Sequence, residues 1–153
     1  MKSRIIIWGV FYACTLVAAS GAIWFVGDLN ANKWNAPSIA PPAWLFGPVW
    51  TTLYLMIAFV GWRVWQRKDG AALKRLWGTQ LCLNFLWSPV FFAAQMPGLA
   101  LWVIACLMLV ILAFVRTAWR QDRLSAILFL PYAVWVGFAS TLNGAIFYLN
   151  PPV

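Results

Sequence analysis

The chain of 153 residues is 64% hydrophobic and only 9% charged, with a mean hydropathy of +0.81, which excludes a soluble globular domain and describes an integral membrane protein. At roughly 20 apolar residues per span, its length holds five spans and no separate soluble domain. The formal charge of +8 does not imply a nucleic-acid partner, because the basic residues sit at the ends of apolar runs, where membrane topology places them.

The expected fold is therefore all-α, a single five-transmembrane-helix bundle covering 1–153. The first run, 5–26, follows Lys2 and Arg4 and contains a small-residue segment, so a secretory signal peptide is one reading. The apolar run continues through Trp24, Phe25 and Val26, which favours a retained span. The connector 27–43 is polar and rich in proline and tryptophan, too long for a tight turn, and is expected to form a structured lid. The second span is predicted over 44–65 and ends among Arg63, Arg67 and Lys68. The third, 75–94, is the most polar, carrying Thr79, Gln80, Asn84, Ser88 and Pro89. A turn at 95–98 leads to a nearly featureless fourth span, 99–118. The fifth, 124–149, holds Pro131, Tyr132, Trp135, Ser140, Thr141 and Asn143.

Basic residues fix the expected orientation. Lys2, Arg4, Arg63, Arg67, Lys68, Lys74, Arg75, Arg116, Arg120 and Arg123 fall on one side, and Lys33 alone on the other. The N-terminus is thus expected in the cytoplasm, with the lid and the C-terminus on the opposite face.

The chain contains no Glu and no His, and its three acids, Asp28, Asp69 and Asp122, all lie in connectors. No intramembrane carboxylate is available for proton coupling, and imidazole ligation of haem and His-based triads are excluded. Cys14, Cys82 and Cys106 have no metal-ligand spacing and read as small buried apolar residues. Neither a catalytic set nor a metal site is expected. What remains is uncharged: Trp50, Thr51 and Tyr54; Gln80, Asn84, Trp87 and Ser88; Tyr132, Trp135, Ser140 and Asn143. Gln80, Asn84 and Trp87 follow one another at helical spacing, as do Tyr132, Trp135 and Ala139, so each set shares a face. The amides have a second reading as interhelical packing contacts. Trp8, Trp24, Trp62, Trp65, Trp102 and Trp119, near span ends, read as an interfacial belt. Trp50, Trp87 and Trp135 lie deeper, beside prolines and polar groups, and read as pocket walls for a large, flat, mostly apolar ligand such as a tetrapyrrole or a sterol.

The runs WNAPSIAPPAWLFGPVWTTLY, GTQLCLNFLWSPVFF and LPYAVWVGFASTLN together resemble the translocator protein family, also known as peripheral-type benzodiazepine receptors or tryptophan-rich sensory proteins. The resemblance implies a five-helix bundle, often a homodimer, whose cavity opens under the first loop. It also implies binding of porphyrins such as protoporphyrin IX and of benzodiazepine-site ligands, and of cholesterol in animal members. By position, Trp50 and Trp135 match the tryptophans tied to porphyrin binding and its light-dependent degradation, which makes them the candidate redox participants. Pro41 and Pro42 match the lid prolines, and Asn84, Trp87, Phe91 and Ala139 match cavity positions. Ile39 stands where the family carries a lid aromatic, and Gly144 and Tyr148 replace the proposed sterol motif of animal members. The expected function is tetrapyrrole binding in sensing, sequestration or regulation under light or oxidative stress, with the porphyrin as ligand and no resident cofactor. Transport of porphyrin or lipid, and photo-oxidative porphyrin breakdown, are the alternatives. Gly78 and Cys82 form a small-xxx-small pair that serves either a second copy of the chain or contacts within the bundle.

Overall fold

The computed structural model describes residues 34–35 and 37–151; the predicted first span, Cys14, Lys33 and positions 27–33 and 36 of the predicted lid lie outside the described residues. Four α-helices follow in order: α1 Ala43–Gln66, α2 Ala71–Ser88, α3 Pro97–Gln121 and α4 Arg123–Leu149, with a π-helical turn at Pro89–Ala93 between α2 and α3. α1, α3 and α4 are each long and apolar enough to cross a membrane. α2 is shorter and more polar, and becomes a continuous helical rod only with the π turn that extends it.

Each boundary has a local cause. Pro42 precedes α1 with an extended ψ of 139°, and Pro97 opens α3, where its missing N–H has no intrahelical bond to forfeit. Pro89 breaks the regular ladder after α2. Its ring nitrogen has no hydrogen to give to the carbonyl four residues back, and the chain widens by one residue, so that Ala94 N donates to Pro89 O at 2.8 Å. Gln95 then turns in the left-handed region, φ 53°. The predicted third span is thus an α-helix finished by a π turn, not one uniform helix.

The loop expected between 118 and 124 is a single residue. Asp122 closes α3 through its N–H to Ala118 O, 2.7 Å, and opens α4 by accepting from Ser125 N–H and Oγ–H at 3.5 and 2.7 Å. Arg63, on the last turn of α1, reaches across to the same carboxylate with two bonds, Nη2 to Oδ1 at 2.9 Å and Nε to Oδ2 at 3.1 Å. Burial alone would raise the Asp122 carboxyl. The Arg63 and Ser125 hydrogen bonds and the Arg63 charge outweigh it and hold the group below the usual carboxylate range.

α3 buries Ala100, Ile104, Leu107, Ile111, Phe114 and Ala118, spacings that alternate four and three and so form one stripe against its neighbours. α4 packs chiefly on α3, α3 on α2, and α1 closes against α4. Trp102 and Leu109 face outward, 74% and 67% exposed, as a lipid-facing surface allows. The same reason corrects the reading of the cysteines. Cys82 and Cys106 are exposed, because an apolar side chain in a membrane bundle needs no interior to be buried in. Pro48 and Pro131 are accommodated inside α1 and α4. Beside the first, Thr51 and Thr52 return their hydroxyls to the carbonyls of Gly47 and Pro48.

Candidate functional site

Trp50, one turn above Tyr54 on α1, stacks on it at 5.3 Å and meets Trp135 of α4 edge to face at 6.4 Å. Phe46, a further turn up α1, packs on Trp135 at 5.8 Å. From the other side, Trp87 stacks on Phe91 at 5.1 Å, and Phe92 lies against both. Together with Ala139, Leu142, Asn143 and Ile146 these rings enclose a cavity. Its free volume is about 20 Å³, room for a single water, because the aromatic side chains fill the space themselves.

Of the residues expected from sequence, Trp50, Trp87, Phe91, Trp135, Ala139 and Asn143 line this one cavity, and Tyr54 backs it through its stack on Trp50. Gln80, Asn84 and Tyr132 lie behind the wall in a buried relay. Tyr54 OH donates to Asn84 Oδ1 at 2.8 Å, Asn84 Nδ2 donates to Tyr132 OH at 2.8 Å, and Tyr132 OH donates to Gln80 Oε1 at 2.9 Å. The relay joins α1, α2 and α4. Asn143 performs a similar task nearer the lid: it accepts from Trp87 Nε1 at 3.1 Å and donates to Pro97 O at 2.8 Å. Pro41 and Pro42 are not part of the lining. They lead the chain into α1, Pro41 half-buried and Pro42 exposed.

Four lining residues escaped the sequence reading: Phe46, Phe92, Leu142 and Ile146. Three of them carried a signal. Phe46 precedes Trp50 by four, and Leu142 and Ile146 continue the face of Trp135 and Ala139 at steps of three and four. Phe92 carried none, since its inward direction depends on the π turn. Above the cavity, Trp34 caps Phe91 edge-on at 5.0 Å. Asn35 and Asn150 hold that segment down, with Asn35 N–H donating to Asn150 Oδ1 at 2.9 Å and Asn150 Nδ2 donating to Asn35 O at 3.3 Å.

Two buried donors here lack an acceptor, Gln80 Nε2 in the relay and Trp135 Nε1 in the wall, although a buried N–H ordinarily finds one. The site can therefore offer a planar partner several aromatic faces, and one of the indoles in its wall keeps a buried N–H without an acceptor. Among the described residues no three metal-ligating side chains stand together, so its own chemistry is that of indole, phenyl, phenol and amide groups.

Fold and site together define a polytopic α-helical membrane protein with an aromatic pocket inside the bundle. The family model described as TspO/MBR matches residues 11–149, and the chain belongs to that family. It is 38% identical over 139 residues to tryptophan-rich protein TspO of Archaeoglobus fulgidus, covering 84% of this chain and 90% of the relative. It is 34% identical over 149 residues to protein CrtK of Rhodobacter capsulatus, covering 92% and 90%. To the human translocator protein it is 35% identical over 150 residues, covering 93% and 83%.

Proposed function

We propose that this protein binds a tetrapyrrole of the protoporphyrin IX type between α1, α2 and α4, and that it acts in sensing, sequestering or regulating porphyrin under light or oxidative stress. The observation that carries the reading is the buried, unpartnered Trp135 N–H beside Trp50 in a wall of aromatic rings. A macrocycle with a wide π face and peripheral carboxylates supplies what that wall lacks, a flat partner and an acceptor. Because the free volume is about 20 Å³, entry requires the rings to part, and binding is coupled to a change in tryptophan environment. A relative in Cereibacter sphaeroides, 32% identical over 152 residues, bears the name tryptophan-rich sensory protein, which agrees with a sensory role.

The bundle's charge supports the cytoplasmic placement of one end. Arg63, Arg67, Lys68, Lys74, Arg75, Arg116, Arg120 and Arg123 cluster where α1 and α3 end and α2 and α4 begin, so the lid faces the opposite side of a cell membrane. A homodimer is favoured at α2, where a side chain added at Gly78 would meet nothing within 4 Å and Cys82 is exposed.

Titration of the purified protein with protoporphyrin IX, followed by tryptophan fluorescence, tests the reading. Wild type should quench to saturation, and the Trp50→Phe, Trp135→Phe double variant should bind roughly tenfold or more weakly, a loss of about 1.4 kcal/mol. Unchanged affinity in the double variant removes the assigned site.

A further inference from the structure

At the basic end of the bundle the cations divide into those that are engaged and those that are not. Arg63 is held by Asp122, Arg67 by Asp69 at 3.3 Å, and Lys74 by the carbonyl of Arg67 at 2.8 Å. Arg116 and Arg120 have no acid within ion-pairing reach among the described residues, the nearby Asp122 carboxylate being taken up by Arg63 and Ser125. They sit four residues apart on α3, about 6 Å along the axis, a spacing at which like charges destabilise a helix unless an anion stands between them.

These two arginines border a surface recess of about 380 Å³ lined by Leu112, Val115, Arg116, Trp119 and Arg120. The recess has two distinct halves. Leu112, 51% exposed, and Val115 form an apolar floor toward the middle of the membrane, while the guanidinium groups and the Trp119 indole, 45% exposed, form the outer rim. Arg123 lies over the Trp119 ring at 5.2 Å and holds it at the edge. The level is set by the helix. From Pro97 to Val115 α3 carries no charge, a run of roughly 28 Å at 1.5 Å per residue, close to the thickness of the hydrocarbon core. Arg116 and Arg120 therefore emerge at the depth of the lipid phosphates, with the apolar floor beneath them at the depth of the acyl chains.

We propose that this recess is a binding site for one anionic phospholipid, its phosphodiester gripped between Arg116 and Arg120 and one acyl chain lying on Leu112 and Val115. Guanidinium forks suit phosphate oxygens, and the Trp119 ring suits the boundary between headgroup and chain. Charge complementarity selects the occupant: a zwitterionic lipid brings its own cation to a rim that already holds two, and a second copy of this chain would bring the same arginines.

The test is lipid retention by the full-length protein, purified from detergent containing equal amounts of phosphatidylglycerol and phosphatidylcholine and weighed by native mass spectrometry. Wild type should retain phosphatidylglycerol preferentially, and Arg116→Gln with Arg120→Gln should lower that preference roughly tenfold or more. Lys68→Gln with Arg75→Gln, which removes equal charge from the same end outside the recess, should leave it unchanged. Arg116→Lys with Arg120→Lys, which keeps the charge and so the fold, should bind more weakly than wild type because the forked geometry is lost. The proposal is overturned if wild type shows no preference, if the Lys68 and Arg75 variant loses it equally, if neither arginine variant changes it, or if millimolar inorganic phosphate displaces the lipid.

Discussion

Trp50 and Trp135 stand at right angles, edge to face, with ring centroids 6.4 Å apart, and only the first has its second face covered by a phenol, that of Tyr54. The two indoles therefore occupy unequal environments within one wall. Trp50 is stacked on the Tyr54 ring, whereas Trp135, packed by Phe46 and Phe138, holds a buried N–H without an acceptor.

That inequality predicts different responses to the same substitution. Trp135→Phe discards the orphaned donor, whose burial is worth about 1–3 kcal/mol of destabilisation, and this offsets the packing lost with the larger ring. Thermal unfolding of the ligand-free variant should stay within about 1 kcal/mol of wild type, while the stabilisation conferred by saturating protoporphyrin IX falls. A ligand-induced stabilisation equal to that of wild type would show that the N–H does not meet the ligand.

The relay behind the cavity predicts that two ends of one hydrogen bond are not equivalent. Tyr132→Phe strands both Gln80 Oε1 and Asn84 Nδ2, and should destabilise by about 1–2 kcal/mol, the upper range for such bonds in membrane bundles. Gln80→Leu strands the Tyr132 O–H, which donates to Gln80 Oε1, but it also removes an amide nitrogen that already has no partner and leaves Tyr132 accepting from Asn84, so the two changes offset and the net effect should be about 0.5 kcal/mol or less. Parallel unfolding curves decide this, and equal losses would mean that the relay is not the stabilising unit.

Asp122 predicts an acid limit. Its folded-state carboxyl lies below the ordinary value, so its contribution is complete above about pH 4 and is lost as pH falls through the lowered folded value. Asp122→Asn should reduce stability at neutral pH by roughly 1–3 kcal/mol, and the gap between the two proteins should close on acidification. A gap independent of pH would assign the effect to packing and not to the charge.

The Asn35–Asn150 pair predicts a kinetic effect. Asn150→Ala releases the segment that carries Trp34 over Phe91, and losing about 1 kcal/mol of hydrogen bonding should speed protoporphyrin association roughly fivefold. Stopped-flow quenching measures it. An unchanged rate would mean that ligand does not pass beneath this segment.

Much of this was legible in the chain. Length and hydropathy located the helices from 44 onward to within a few residues; helical spacing put Trp87, Trp135 and Ala139 on shared faces, and Trp50 stood out by its depth in the span beside Pro48 and Thr51. Pairings across helices were not legible, because no local pattern couples Asn143 to Trp87 or Tyr132 to Gln80; those bonds exist only once three helices meet. The break at Asp122 was half-visible. An Asp three residues before Ser125 is a capping signal, but its charges made the segment read as a loop. Pro89 was read inside one continuous span, and its missing N–H, compatible with a kink, a stop or a widened turn, did not by itself distinguish the π turn that the chain forms there.

That widened turn settles which side chains can see the pocket. One extra residue per turn brings successive side chains closer in direction than an α-helix would, so Phe91 and Phe92, adjacent in sequence, are both buried, at 3% and 8% exposure, and both border the same cavity. A one-residue deletion within 89–93 that restored regular α geometry would preserve the composition of the wall but rotate everything after it, and the site would lose an aromatic without losing a phenylalanine.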